Sequence, residues 1–134
     1  MNRRDFIQQA PQTVAAATLI SPAAPESAPA RPFVHHVYFW LANPDSEADR
    51  KQLLAALETL KTVPVIRQAY IGTPASTNRD VIDRSYQVSW LLFFDSLADE
   101  EVYQKHPIHL EFVKKHSHLW KKVVVYDSVS LSTK

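Results

Sequence analysis

The stretch F-V-H-H-V-Y-F-W-L, Phe33 to Leu41, restricts the possible folds more than any other. It is rich in β-branched and aromatic residues, with Pro32 before it and Asn43 and Pro44 after, the composition and punctuation of a strand. Successive side chains of a strand point to opposite faces, and here both faces are apolar or aromatic. Tyr86 to Phe94 repeats the pattern. A sheet built on these two strands has to be covered on both sides.

The rest of the chain supplies cover for only one side. Ser46, with Asp49 three residues on, forms a helix N-cap and its partner, and Leu53, Leu54, Leu57 and Leu60 follow at helical spacing until Pro64. Val65 to Ile71 reads as a second strand ending at Gly72, and Thr73 to Arg84 as a polar loop. Ser96, with Asp99, caps a short helix that runs to about Lys105. His106 precedes a proline and is therefore pushed out of helical geometry, a corner, while Pro107 suits the first turn of the next helix. That helix is expected to carry His109, Phe112, Val113, His116 and Trp120, with Val123 to Leu131 as the last strand.

The order β-α-β-β-α-β predicts a ferredoxin-like α+β fold, with both helices on one face of an antiparallel sheet. The second face needs another partner. A second copy of the chain is the simplest, so the expectation is a homodimer whose sheets pack face to face in a shared α/β barrel.

At the N-terminus, N-R-R-D-F-I-Q resembles a twin-arginine signal, followed by a short apolar run and small residues before Arg31. Residues 1–31 are accordingly read as signal and Ala/Pro-rich linker, residues 32–134 as the domain, and the destination as the periplasm or beyond. The alternative is an Ala/Pro-rich tail with an accidental arginine pair. The apolar run is too short for a membrane span.

Composition removes several function classes. The net charge is +1 with no basic run, which argues against nucleic acid as a partner. Absence of cysteine excludes disulfides and thiolate chemistry. A single glycine excludes phosphate-cradling loops and the G-x-S-x-G elbow.

Several pieces together resemble the stress-responsive α/β-barrel (Dabb) domain family, whose members form dimeric α+β barrels. They are the H-V-Y-F-W strand led by His36, Pro64 before the second strand, F-D-S at the end of the third, Y-Q-K-H-P-I-H from Tyr103 to His109, and V-V-V-Y-D-S. The resemblance spans nearly all of Phe33 to Asp127. A cofactor-free plant polyketide cyclase of that family has a catalytic tyrosine and histidine similar to Tyr103 and His109 in the same frame. Its ligand cavity, between helices and sheet, implies roles here for His36, Trp90 and Trp120, and no cofactor. Leu53 and Ala56 depart from the aromatic residues with which the cyclase holds an alkyl tail.

In chemical terms, His109 shares a helix face with Phe112 and Trp120 and should point toward the sheet, where partial burial favours a neutral imidazole. Such a base can remove a proton beside a carbonyl while the Tyr103 phenol donates to the developing enolate. The competing reading makes His106 and His109 corner residues that satisfy backbone carbonyls, with Tyr103 a space-filler. His35 is expected on the other strand face, against a dimer partner. Tyr38, Trp40, Trp90 and Trp120 are expected to line a core or an apolar pocket for a small organic ligand.

No metal is expected. His109 and His116 stand about 10.5 Å apart along a helix, too far to share one ion. The function expected is ligand binding between sheet and helices, with cyclase- or enolisation-type acid/base chemistry by His109 and Tyr103. The alternatives are a non-enzymatic stress or structural domain and a cofactor-free quinol-type monooxygenase.

Overall fold

A computed structural model describes residues 31–131. The signal and linker expected in residues 1–31 lie outside these residues, apart from Arg31. The elements run β1 (Phe33–Leu41), α1 (Glu47–Leu60), β2 (Gln68–Gly72), β3 (Val88–Phe94), α2 (Leu97–Lys105), α3 (Pro107–His116) and β4 (Trp120–Val129), with a 3-10 turn at Ser117–Leu119 between α3 and β4. This is the ferredoxin-like α+β fold that the element order implies. The sheet is antiparallel throughout, in the order β2-β3-β1-β4.

The helices begin where the sequence supplies caps. The Ser46 hydroxyl accepts the Asp49 N–H at 3.1 Å, and the Ser96 hydroxyl accepts that of Asp99 at 3.3 Å, each satisfying a donor that the first turn leaves unpaired. At the α2–α3 corner the backbone of His106 is extended (φ −66°, ψ 140°), as a residue before proline should be. Its Nδ1 accepts the Ile108 N–H at 3.0 Å, so the histidine serves as the N-cap of α3.

Several boundaries differ from the sequence reading: β3 starts at Val88 and β4 ends at Val129. The third helix ends at His116, and Trp120 opens β4 instead of closing the helix. The cause is the ladder: Trp120 pairs with Leu41 across an irregularity in β1, and the 3-10 turn lets Leu119 O accept the Ala42 N–H at 2.9 Å. The second strand starts at Gln68 because Val63 to Arg67 form a turn, held by the Ile66 N–H to Val63 carbonyl bond.

Alternation along β1 divides the sheet into two faces. Phe33, His35, Val37, Phe39 and Leu41 are buried beneath the helices, alongside Val88, Trp90, Leu92 and Phe94 of β3. Leu53, Leu57 and Leu60 of α1, Tyr103 of α2 and Phe112 of α3 close this core from above. Each fully buried aliphatic or aromatic side chain contributes about 1.5–3 kcal/mol of transfer free energy.

The outer face carries Val34, His36, Tyr38 and Trp40 of β1, only half-buried, with Leu91 and Phe93 of β3 beside them and Tyr126 of β4 opposite His36. No helix of the described residues packs on it. Among the described residues no helix is long and apolar enough to cross a membrane.

Candidate functional site

The α2–α3 corner brings Tyr103 and His109 together over the sheet, ring centroids 4.7 Å apart. Both line a cavity of about 140 Å³, floored by His35, Val37, Phe39 and Trp90 and walled by Leu60, Phe112 and Trp120. A space of that size takes a benzene-sized group. Val123 and Val125 of the edge strand β4 line it too and remain exposed, which puts the mouth along that edge.

Tyr103 is 1% exposed, and its hydroxyl oxygen accepts the indole N–H of Trp90 at 3.1 Å. Burial pushes the phenol pKa well above its usual value, against the opposing pull of the Trp90 hydrogen bond, with the charge of Glu100 adding to the rise. The side chain therefore stays a neutral O–H donor. Accepting from Trp90 polarises that O–H and strengthens what it can donate.

Nδ1 of His109 lies 3.1 Å from the carbonyl oxygen of Gln104. A carbonyl only accepts, so Nδ1 carries the proton and Nε2 keeps the lone pair. Burial holds the His109 pKa below its ordinary value; the Gln104 bond opposes this and the nearby His35 adds to it. The residue is a neutral imidazole with its basic nitrogen free of any described partner.

A second imidazole is arranged the same way. His35, buried, directs Nδ1 at Asp127 Oδ1 at 2.7 Å, with Glu100 Oε2 at 3.6 Å. Its ring packs edge-on to Tyr103 at 5.9 Å. Gln104 ties the two histidines together: its carbonyl holds His109, and its side-chain amide donates to Glu100 Oε2 at 2.8 Å.

The structure thus joins Tyr103, His109, Trp90 and Trp120, as expected from the sequence, and corrects the assignment of the two β1 histidines. His35 faces the cavity. His36, expected there, points to the outer face, stacked on Tyr38 at 4.3 Å, and Tyr38 and Trp40 share that face. Those three residues do not meet Trp90 or Trp120; Tyr38 and Trp40 line a separate outer hollow with Asp83, Tyr86 and Tyr126. Alternation along β1 puts His35 on the face of fully buried Leu41 and His36 on the other. The sequence reading also missed Glu100 and Asp127, since neither lies near His35 in the chain. Ligand atoms of His35, Glu100 and Asp127 lie within 4.8 Å of one another, the spacing of a possible metal centre.

Comparison with known proteins agrees with this architecture. Residues 33–130 match the family model of the stress responsive A/B barrel domain (Dabb). No curated protein matches the chain. Among solved structures, a Dabb family protein with a ferredoxin-like fold from Mesorhizobium loti superposes with TM-score 0.64 at 22% identity, over 76% of this chain and 99% of the other. The hydroxynitrile lyase of Passiflora edulis gives TM-score 0.64 at 24% identity, over 79% of this chain and 99% of the lyase. A dimeric ferredoxin-like protein of unknown function from Thermobifida fusca gives 0.63 at 16% identity, over 75% and 92%. At these identities the structural likeness speaks for the fold alone.

Proposed function

The chain belongs to the stress responsive A/B barrel domain family, and on that premise we propose that it binds a small organic carbonyl compound in the helix-side cavity and moves a proton on it without a cofactor. In this reading His109 Nε2 takes the proton from the carbon next to the carbonyl. The Tyr103 hydroxyl donates to the oxygen on which charge develops, as oxyanion donors do. His35, its Nδ1 held by Asp127, lines the same cavity and serves to return or relay the proton. The hydrophobic walls select compounds with a ring-sized apolar group.

One observation carries the reading. Two imidazoles whose Nδ1 atoms are each occupied by an acceptor, and one phenol that itself accepts from an indole, line a single small cavity. Residues that merely filled a corner would have no need of this polar order on an apolar floor. The lyase activity of the Passiflora edulis neighbour is a reason to include cyanohydrins among trial substrates. The test is solvent-deuterium incorporation into a panel of small ketones and aldehydes, with cyanohydrin cleavage followed in parallel.

The same proposal includes a homodimer formed through the outer face, where no described helix covers the half-buried aromatic residues, and export by the twin-arginine segment. The dimeric description of the Thermobifida fusca neighbour supports the former. Export is tested by asking whether Arg3→Lys with Arg4→Lys keeps a folded reporter in the cytoplasm.

A further inference from the structure

Behind the cavity, three elements each deliver one side chain to a common point: His35 from β1, Glu100 from α2 and Asp127 from β4. Glu100 is the informative member. Its side chain is 9% exposed, and among the described residues it accepts a hydrogen bond only at Oε2, from the neutral amide of Gln104. Oε1 takes none from any described residue. The one N–H that His35 directs at this cluster already points to Asp127 at 2.7 Å, leaving Glu100 at 3.6 Å, outside hydrogen-bond range. A buried carboxylate is costly unless it is paired. Buried Glu100 and partly exposed Asp127, converging on one imidazole, make a donor set suited to a cation.

We propose that His35 Nδ1, Glu100 Oε2 and Asp127 Oδ1 form a binding site for a divalent transition-metal ion of the zinc type. Mixed imidazole and carboxylate ligands suit zinc better than magnesium or calcium, which take oxygen alone. In a tetrahedral site with bonds of about 2.1 Å, ligand atoms stand about 3.4 Å apart. The His35–Glu100 separation of 3.6 Å is already close to this. Asp127 has to withdraw by roughly 0.7 Å to reach that spacing, and its side chain, 45% exposed on an edge strand, has the freedom to do so. The same exposure gives the ion its entry path and leaves room for a water as fourth ligand.

Binding changes what His35 presents to the cavity. With the ion at Nδ1, the ring carries its proton at Nε2. His35 then presents a hydrogen-bond donor, while His109 stays fixed on the Gln104 carbonyl. The site itself does not depend on the catalytic reading, because its test needs no substrate.

The test is titration of the metal-free full-length chain with zinc chloride, read by calorimetry and by competition with a chromogenic chelator. The expected result is one tight zinc per chain, weakened at least about tenfold by Glu100→Gln and by Asp127→Asn, both close in shape to the originals. The double variant His116→Ala/His118→Ala, which removes other histidines of the α3–β4 turn, is expected to bind as the wild type does. Circular dichroism of each variant establishes that it is folded, and the nitrogen-15 shifts of His35 are expected to report the metal at Nδ1. Zinc no tighter than millimolar, affinity indifferent to Glu100→Gln and Asp127→Asn, or magnesium competing equally with zinc overturns the proposal. Loss of proton exchange in the metal-free chain bears on the proposed chemistry and leaves this result untouched.

Discussion

The indole N–H of Trp90 donates to the hydroxyl oxygen of Tyr103 at 3.1 Å, with both side chains 1% exposed. The bond fixes the direction in which Tyr103 can act, since an oxygen that accepts from Trp90 directs its own proton elsewhere. Tyr103→Phe removes that proton and strands the Trp90 donor in the core. The expected cost is about 1–3 kcal/mol of stability by urea denaturation. Turnover is expected to fall by roughly 10²- to 10³-fold, the usual loss for an oxyanion donor. Ligand affinity, followed by tryptophan fluorescence, should change little. Full activity in a folded Tyr103→Phe protein would remove Tyr103 from the chemistry.

For His109 the pH dependence follows from the sign of its shift. Its folded pKa lies below the ordinary 6.5, chiefly through burial. The unfolded chain therefore binds this proton more readily, and the residue's contribution to stability is intact above pH 6.5 and is lost as pH falls through the lower folded value. The acid limb of kcat/KM is expected below pH 6.5 for the same reason. Rate profiles and urea midpoints collected from about pH 5 to 8 check both, and in His109→Gln the acid limb should vanish along with most of the rate. An acid limb at or above 6.5 would point to a different base.

His106 offers a contrasting case at the same corner. Its Nδ1 caps α3 through the Ile108 N–H, and it does not line the cavity. His106→Ala should lower stability by about 1 kcal/mol, the usual value of an N-cap, without altering turnover. Asparagine at this position should restore most of the loss. Differential scanning calorimetry together with an activity measurement separates the two effects.

What could be read from the sequence follows from how local each signal is. The caps at Ser46 and Ser96, the proline corner at Pro107 and the doubly apolar β1 are short-range features, and the fold they imply is the fold observed. Tyr103 and His109 were visible for the same reason, being close in sequence on either side of that corner. The β1 histidines were assigned to the wrong faces because both faces of the strand are apolar, so hydrophobicity carried no information about which one the helices cover. Glu100 and Asp127 escaped notice because their partner His35 is 65 or more positions away in the chain, and only the pairing of β4 with β1 and the packing of α2 on the sheet bring them to it. Trp120 was placed on a helix because its spacing from Phe112 and His116 also fits a helical repeat. Backbone pairing with β1 took precedence.

The outer face makes its own prediction. Tyr38 sits there at 4.8 Å from the Tyr86 ring and 6.0 Å from that of Tyr126. Its pKa is raised, mainly by burial and then by those two tyrosines. With a second copy packed on this face, light scattering should give twice the chain mass. Tyr38→Arg, which places a charge at the centre of the contact, should give a folded monomer. A wild-type monomer at micromolar concentration would leave the aromatic face without its proposed cover.

The central claim is that the cavity moves protons without a cofactor, and it is tested most directly by proton NMR of a small cyclic ketone in D2O with the metal-free protein. The account predicts that the wild type exchanges the hydrogens next to the carbonyl well above the buffer rate, that His109→Gln falls to near that rate, and that Tyr103→Phe lies close to it. Exchange no faster than buffer across a panel of enolisable carbonyl compounds that do bind, or exchange unchanged in His109→Gln, would contradict it.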